Sequence, residues 1–178
     1  DESRSLFLRL LASGPALLKV WEEIDFVDIP GRLIPEWLAI RNRPSASAAH
    51  RYTIDRHSVE VVTRLGRETP RGNRYDDRHY QALLLAGILH DVGKRPGVAD
   101  HAAEGARHAS MVLKRMGFDR DIIWWVTLLV REHLTLSEFA TGQNPNDPNV
   151  GDELASRLDH DPLLLDMLFD LTRADGSS

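Results

Sequence analysis

Residues 82–95 of the chain read ALLLAGILHDVGKR. The run from Ala82 to Leu89 is too uniformly apolar for a surface helix and too short to cross a bilayer, so it predicts a buried central helix. This run ends in two adjacent ionisable residues, His90 and Asp91. Burying either side chain without a partner is costly in free energy. We therefore expect a compensating partner at this point, and a metal ion would serve both side chains.

Composition predicts one domain and argues against several classes of function. The chain has 178 residues, of which 42% are hydrophobic, and this is enough for one substantial core. A net charge of -5 argues against nucleic-acid binding through bulk electrostatics, so any phosphate ligand must be attracted locally. The lack of cysteine excludes disulfides and thiolate metal sites. Because no signal peptide or membrane span is recognisable, we expect a cytoplasmic protein with neither membrane nor nucleic-acid partners.

The beginning of the chain, over residues 1–45, predicts a helical lead-in and a linker. Two short helices are expected over residues 3–24, separated at residues 13–15. The Pro-Gly pair at residues 30–31 is expected to break the pattern before another short helix. Residues 46–178 then form the main helical domain. The abrupt ends of the sequence suggest a piece of a longer multidomain chain.

Apolar residues recur at helical spacing in four further segments of the main domain. Three of the segments begin near an acidic residue that can cap a helix, Asp55, Asp100 and Asp161, and the remaining one is expected to begin at Asp119 or Arg120. Because no strand-like alternation or internal repeat is present, the predicted fold class is all-α, a helical bundle. Residues 137–152, rich in Asn, Pro and Gly, predict a long loop that could act as a lid. The arginines near residues 66–78 are interpreted as a solvated turn rather than a substrate-binding patch: Arg67, Arg71, Arg74 and Arg78.

Polar residues stand at or near the ends of the inward-facing stripes of four separate helices. They are His57, His90 with Asp91, His133 and Asp175. A single histidine on an apolar face is more often a hydrogen-bonded core residue, but one shared polar centre explains all of these residues together. Imidazole and carboxylate ligands without thiolate suit Mn, Fe, Mg, Ni or Zn. The sequence therefore predicts a divalent metal centre without selecting the ion.

The same residues resemble the motif of a known superfamily. His57, the His90-Asp91 doublet within HDVGK, and Asp175 occur in the order found in the HD-domain metal-dependent phosphohydrolases, an all-α superfamily named after that doublet. The resemblance implies an HD-domain helical bundle over residues 46–178. It also implies that these four side chains hold one divalent metal ion.

Members of the superfamily with two metal ions add histidines from later helices. His101, within DHAAEG, and His133, within VREHL, match those positions. Some of these members carry a pair of histidines where this chain has Glu132 before His133. The resemblance thus implies one or two divalent ions as cofactors.

A more specific similarity is to the HD region of the bifunctional PII uridylyltransferase and uridylyl-removing enzymes. HRYTIDRH at residues 50–57, HDVGK, DHAAEGA, VREHL and LTRAD recur in the same order, and the resemblance runs from about Leu6 to the end. It implies metal-dependent hydrolysis of the phosphodiester between a nucleotide, UMP or AMP, and a tyrosine of a PII-type signalling protein. It also implies that the nucleotidyltransferase domain and the C-terminal sensing domains of the full-length enzymes lie outside this chain.

The implied chemistry assigns roles to particular residues. Asp91 and Lys94 are the catalytic candidates, since Asp91 can take a proton from water and Lys94 can contact a phosphate oxygen. Lys94 is equally well interpreted as an ordinary exposed lysine in a turn. Three further residues match the pattern of the closer family: His50, Tyr52 and Asp55. Their roles stay open between capping, orientation of His57 and substrate contact. Three other histidines are expected to be surface or structural residues: His79, His108 and His160.

Three other interpretations of the chain stay open. An HD phosphohydrolase could act on a free nucleotide or a cyclic dinucleotide. The domain could be a non-catalytic regulatory HD module. It could also be a purely structural helical domain whose inward histidines are hydrogen-bonded core residues, and that interpretation predicts no stoichiometric metal.

Overall fold

The helices of the protein were located in a computed structural model that describes residues 1–46, 52–69 and 74–178. The α-helices are α1 (Glu2–Leu11), α2 (Ala16–Phe26), α3 (Ile29–Leu33), α4 (Ile54–Glu68), α5 (Asp77–Leu89), α6 (His101–Arg115), α7 (Arg120–Glu132), α8 (Thr135–Gly142), α9 (Pro148–Arg157) and α10 (Pro162–Gly176). A 3₁₀ helix spans Pro35–Ala39. Apart from one isolated bridge between Pro44 and Thr53, the described residues contain no β-structure. The predicted all-α helical bundle is confirmed.

None of the helices in these described ranges has both the length and the apolar character that crossing a membrane requires.

Helix α5 is the buried central helix that the sequence predicts. Asp76 caps it by accepting a hydrogen bond from the backbone N–H of His79, and residues 82–89 are all buried. Helices α4 and α7 pack against α5, and α10 also contacts it. Burial of each large apolar side chain contributes about 1.5–3 kcal/mol to folding. Because α5 is anchored in this way, the two residues that follow it, His90 and Asp91, are held inside the protein with almost no exposed surface.

The lead-in helices reach α4 through a pair of glycines. The predicted separation of α1 from α2 is confirmed, with Gly14 between them in the left-handed region at a φ of 59°. A Cβ on Gly66 of α4 would lie 3.2 Å from the backbone of Gly14, so the two segments approach closely because neither has a side chain. The predicted break at residues 30–31 is wrong. Pro30 lies in the first turn of α3, where its missing N–H leaves no helical hydrogen bond unmade.

Residues 137–152 are mostly helical, so the predicted long loop and its interpretation as a lid are wrong. Helix α8 continues to Gly142, and α9 begins at Pro148 after a short turn. Asp147 caps α9 with its side chain, and Pro148 occupies a first-turn position that needs no N–H donor. Leu154 packs partly buried against the core, and this tertiary contact outweighs the poor helix propensity of the surrounding residues.

Two of the three predicted acidic caps, Asp100 and Asp161, are confirmed, and Asp119 caps the helix expected to begin at Asp119 or Arg120. Asp100, Asp119 and Asp161 each accept a hydrogen bond from a backbone N–H of the following turn. Asp55 is not a cap, because Thr53 occupies that position of α4. Asp55 lies instead in the first turn of the helix and is buried.

The arginines predicted to lie in a solvated turn have several environments. Arg67 belongs to α4, and Arg71, like His50, lies outside the described residues. Arg74 and Arg78 form ion pairs with acidic residues of α10 and of the start of α7. These pairs support the interpretation of both residues as structural rather than substrate-binding.

Candidate metal centre

The side chains that the sequence predicts as metal ligands lie together in two groups: His57 with His90 and Asp175, and Asp91 with His101 and His133. Within each group the ligand atoms lie within 4.8 Å of one another. The groups draw on α4, the residues just after α5 and α7, the start of α6 and the last turns of α10. Five helices thus contribute to a single polar region inside the bundle.

The first group is arranged around one carboxylate oxygen. Asp175 Oδ1 lies 2.7 Å from His57 Nε2 and 3.6 Å from His90 Nε2. The two imidazole rings have centroids 5.5 Å apart and planes at 66° to each other. His57 and Asp175 are hydrogen-bonded at this distance, and all three ligand atoms lie close enough together for one divalent ion to bind them.

The second group is arranged around the other carboxylate of the centre. Asp91 Oδ1 lies 3.8 Å from His101 Nε2 and 3.6 Å from His133 Nε2. The centroids of the two imidazole rings are 5.3 Å apart. This group offers the same ligand types as the first, two imidazole nitrogens and a carboxylate oxygen.

Asp91 connects the two groups. Its Oδ2 lies 3.4 Å from His90 Nε2 in the first group, whereas its Oδ1 faces the second. The sequence-based expectation assigned Asp91 to the first ion and considered it well suited to bridging two ions, and in the structure it lies between the two groups. A carboxylate in this position can bind one ion through each oxygen.

Backbone carbonyls orient two of the imidazoles. His90 Nδ1 donates to the carbonyl of Gly87 at 2.8 Å, and His133 Nδ1 donates to the carbonyl of Val130 at 2.7 Å. Both acceptors lie three residues earlier, in the last turn of the preceding helix, where carbonyls lack helical partners. With Nδ1 as the donor, each Nε2 faces the centre and is the atom left to bind an ion, which is the arrangement usual for metal-binding histidines.

Several inward atoms of the centre fit a bound cation. Among the buried side-chain atoms that lack a hydrogen-bond partner in the described part of the chain, four are ligand atoms of this centre: Nε2 of His90, His101 and His133, and Oδ1 of Asp91. Buried polar atoms are normally satisfied, and leaving them unsatisfied costs about 1–3 kcal/mol each. A divalent ion coordinated by nitrogen and oxygen would satisfy all of them.

The electrostatics of the centre hold Asp91 and His133 in the protonation states that a metal requires. Burial by itself raises the pKa of Asp91, but the neighbouring His90 and Lys94 outweigh burial and hold this pKa well below its usual range. Burial, together with the positive charge of His90, lowers the pKa of His133 to about 4. At neutral pH Asp91 is therefore an anion and His133 a neutral imidazole, the forms that bind metal ions.

The HD domain family matches residues 54–165, which contain five of the six side chains of the centre. The chain belongs to the HD domain family. The predicted HD resemblance is confirmed by this match, which begins at the start of α4 and ends before Asp175. The predicted domain boundary at residue 46 stays a prediction.

Whole-chain similarity connects this HD domain to longer bacterial proteins. A relative from Mycobacterium tuberculosis is 36% identical over 178 residues, covering 100% of this chain and 21% of the relative. A relative from Streptomyces coelicolor is 37% identical over 176 residues, which cover 98% of this chain and 20% of the relative. A relative from Caulobacter vibrioides is 32% identical over 180 residues, which cover 95% of this chain and 19% of the relative.

All three relatives are named bifunctional uridylyltransferase/uridylyl-removing enzyme. The chain spans about a fifth of the length of these curated relatives. Removal of a uridylyl group is a hydrolytic reaction, so the predicted placement of the chain among HD-domain hydrolases is confirmed at the level of the family and its named relatives.

Lys94 lies next to the HD doublet and is bound to it. Its Nζ donates a hydrogen bond to Asp91 Oδ2 at 2.7 Å, and about a quarter of its side chain, 25%, is exposed. The lysine is therefore not an unattached turn residue. It is hydrogen-bonded to Asp91 and keeps one side toward solvent.

Glu132 does not join the HD centre. Its Oε2 accepts a hydrogen bond from Thr135 Oγ1 at 2.6 Å and lies 3.5 Å from Nη1 of Arg157. The carboxylate connects the end of α7 to α8 and α9. Glu132 is thus a structural neighbour of His133 rather than a replacement for a metal-binding histidine.

Two glycines within the HDVGK and DHAAEGA motifs bring the second group together. A Cβ on Gly93 would overlap the carbonyl oxygen of His101 and the backbone nitrogen of Gly105. A Cβ on Gly105 would in turn lie 3.4 Å from the carbonyl oxygen of His90. The start of α6 therefore rests directly on the backbone that follows α5, and this contact brings His101 to Asp91.

The remaining predicted residues lie at the edges of the centre or away from it. Asp55 precedes His57 by two positions, and Tyr52 has the guanidinium of Arg56 over its ring, 5.8 Å from the centroid. His108 is buried beside Glu104, and its Nε2 lies 2.8 Å from Glu104 Oε1. His79 stacks on Trp125, and His160 is exposed.

A cleft of about 500 Å³ opens beside His101 of the second group. Arg43, Lys94 and Arg95 line it together with mainly apolar residues. Sequence reasoning missed Arg43 and Arg95 as candidates for the site. Arg95 directly follows the HDVGK motif, and that adjacency was the available signal, whereas Arg43 reaches the cleft only through the tertiary fold.

Proposed function

We propose that the chain is a metal-dependent phosphodiesterase that removes a nucleotidyl group, UMP in the favoured case, from a tyrosine of a PII-type signalling protein. The observation that carries this proposal is the pair of ligand groups joined through Asp91 beside a cleft with cationic side chains. The names of the relatives support the choice of a uridylyl group.

The proposed ligand assignment follows the two groups. His57, His90 and Asp175 would hold one ion, and His101 and His133 would hold a second. Asp91 would contribute an oxygen to each. When bound, such ions act as Lewis acids on the phosphoryl oxygens and lower the pKa of water, so that a nucleophile exists at neutral pH.

The protein's own side chains position the reactants. Asp91 accepts a hydrogen bond from the attacking water, whose oxygen bonds to phosphorus as the bond between phosphorus and the tyrosine oxygen breaks. The water proton leaves by way of Asp91 and passes to solvent. A solvent proton neutralises the tyrosine oxygen, so the products are the nucleoside monophosphate and an unmodified tyrosine.

Lys94 has a positioning role in this proposal. Its hydrogen bond to Asp91 Oδ2 restricts that carboxylate and leaves Oδ1 directed toward the second group. Its partial exposure places positive charge at the mouth of the centre, where the phosphoryl group would lie.

The test uses the purified chain loaded with Mn²⁺ and two substrates that contain the same kind of bond. These are a uridylylated PII-type protein and the p-nitrophenyl ester of UMP, whose aryl oxygen resembles that of tyrosine. We expect hydrolysis of both, and a loss of about 10²–10⁴-fold in Asp91→Asn. The control variant is His160→Asn, which replaces an exposed histidine and should retain full activity.

A metal-loaded chain that cleaves neither substrate would contradict the proposed activity. Cleavage of a cyclic dinucleotide without cleavage of the nucleotidyl-aryl bond would retain an HD phosphodiesterase but overturn the proposed substrate.

A further inference from the structure

The cleft beside His101 has a charge opposite to that of the whole chain. Its described lining contains Arg43, Lys94 and Arg95, and none of the described lining residues is acidic. The chain as a whole carries a net charge of -5. Lys94 is already paired with Asp91, but Arg43 and Arg95 have no carboxylate beside them in the described lining, and two such arginines in an acidic protein indicate local attraction of an anion.

Arg95 has hydrogen-bonding capacity that the described protein does not use. Its Nε is buried and has no hydrogen-bond partner in the described ranges. An arginine side chain with an unused buried donor at the wall of a cleft fits a ligand that supplies acceptor oxygens. The planar guanidinium matches a phosphate group in particular, since it can donate two parallel hydrogen bonds to it.

Arg43 is held in place at the same cleft. Its Nη1 donates to the carbonyl of Ala39 at 3.1 Å, and its own carbonyl accepts from the backbone N–H of Ile54 at 2.9 Å. These contacts fix the backbone and one guanidinium nitrogen of Arg43, and among the described residues they leave its other N–H donors for a ligand. Because the side chain is already ordered, binding through it loses less conformational entropy.

The rest of the cleft is apolar, and its size is limited. Pro44, Ile54, Pro96 and Val98 contribute to its lining. A volume of about 500 Å³ is in the range of pockets that enclose small organic ligands. Apolar walls beside cationic groups suit a ligand that has an anionic end and a flat, weakly polar body.

We infer that this cleft is the nucleotide subsite of the centre: Arg43 and Arg95 bind the phosphoryl oxygens of a nucleoside monophosphate, and the apolar wall around Val98 contacts its nucleoside. This inference rests on the proposed phosphodiesterase function. It adds two specificity-determining arginines and a reason for preferring nucleotidyl substrates over simple phosphodiesters.

The experiment measures binding and turnover separately in Arg43→Gln, Arg95→Gln and Val98→Ser. Binding of UMP and of inorganic phosphate to the Mn²⁺-loaded chain is followed by calorimetry. Turnover is compared between the p-nitrophenyl ester of UMP and bis(p-nitrophenyl) phosphate, which lacks a nucleoside. Arg120→Gln, which replaces an exposed arginine at the far end of α7 from His133, is the matched control.

Loss of either arginine should weaken binding of UMP about 10–100-fold, as expected for charge-assisted hydrogen bonds, and should raise KM more than it lowers kcat. Val98→Ser should weaken binding of UMP while leaving binding of inorganic phosphate unchanged. The control variant should bind both ligands as the unmodified chain does, and thermal unfolding should show that all variants are folded.

The outcomes separate this inference from the proposed function. Unchanged UMP affinity in both arginine variants, with hydrolysis intact, would overturn the nucleotide subsite and leave the phosphodiesterase standing. Weakened UMP affinity in these variants, in a chain that hydrolyses neither ester, would support the subsite and contradict the activity.

Discussion

The two oxygens of Asp91 have different partners, and this division determines how the centre can work. Oδ2 accepts a hydrogen bond from Lys94 and lies near His90, whereas Oδ1 has no hydrogen-bond partner among the described residues and faces His133. One oxygen is thus fixed by the protein and the other is available to a ligand. We expect the fixed oxygen to control the geometry of the available one.

Replacing Lys94 tests that control. Lys94→Met removes the hydrogen bond to Asp91 Oδ2 but keeps every predicted metal ligand. We expect the metal content to stay unchanged and kcat for the p-nitrophenyl ester of UMP to fall about 10–100-fold, as is usual when the partner of a ligand is lost. Lys114→Met, which replaces an exposed lysine of α6, should leave kcat unchanged. Loss of metal in the Lys94 variant would show that this lysine supports the ligands themselves.

The protonation of His90 predicts a pH dependence for metal binding. Burial alone lowers its pKa, but the carboxylates of Asp91 and Asp175 outweigh burial and raise this pKa to about 10. In the metal-free protein His90 therefore carries an additional proton at neutral pH, and this proton must leave when Nε2 binds an ion. Apparent affinity should rise about tenfold for each pH unit between about pH 6 and 8, with release of about one proton.

Calorimetry in buffers of different ionisation enthalpy measures that proton release. His133 should add little to it, because its pKa is lowered to about 4 and the ring is already neutral. An affinity that does not change with pH over this range would contradict the assignment of His90 as a ligand.

At the scale of helices, the contact between Gly93 and α6 determines the position of His101. The backbone after α5 touches the first turn of α6 so closely that a Cβ on Gly93 has no room. The overlapping atoms belong to backbone, which cannot move aside as the end of a flexible side chain can. The start of α6 would have to shift as a whole, and His101 with it.

Gly93→Ala should therefore weaken both stability and the second ligand group. We expect a loss of about 1–3 kcal/mol in the free energy of unfolding, typical of overpacking, and a reduced metal content. Gly151→Ala is the matched control, because Gly151 lies in α9 with no atom within 4 Å of a Cβ. That change should stabilise the protein by about 0.5–1 kcal/mol through helix propensity. Chemical denaturation measures both, and a neutral Gly93→Ala would contradict the tight contact.

The elements that sequence patterns predict well are those with a strong local signal. Helix α5 has an unbroken apolar run, and α6, α7 and α10 begin at acidic caps. Helix α9 was missed because its Asn, Gly and Pro residues indicate a loop by composition. The Asp147-Pro148 pair that begins it is itself a helix-start signal, and contacts of Leu154 with the core supply the stability that local propensity lacks.

At the scale of the whole molecule, the centre depends on residues that are far apart in the chain. His57 and Asp175 are 118 positions apart and yet lie 2.7 Å from each other. Arg64 of α4 strengthens this connection by donating to the carbonyl of Ser177 at 2.5 Å, just after α10. The packing of α4 against α10 therefore assembles the first ligand group.

The sequence, through its family resemblance, could identify the ligand candidates and divide them between two ions, but it could not give the distances between them. Each predicted ligand follows from an apolar stripe or a quoted motif, which are local properties of one segment. The position of Asp91 between the groups depends on how α5, α6 and α7 are placed relative to one another. The cleft residue Arg43 was missed for the same reason, since it is 51 positions from Lys94, its neighbour in the cleft lining.

Metal content is the most direct test of the two ligand groups. The chain is loaded with Mn²⁺ or Fe²⁺, desalted and analysed for metal per protein, alongside one variant of each group, Asp175→Asn and His133→Gln, and the control His160→Asn. The two groups predict two equivalents in the unmodified chain and in the control, and about one in each ligand variant. A chain that retains no metal after loading with either ion would contradict the account and leave the inward histidines as core residues of a structural or regulatory helical domain.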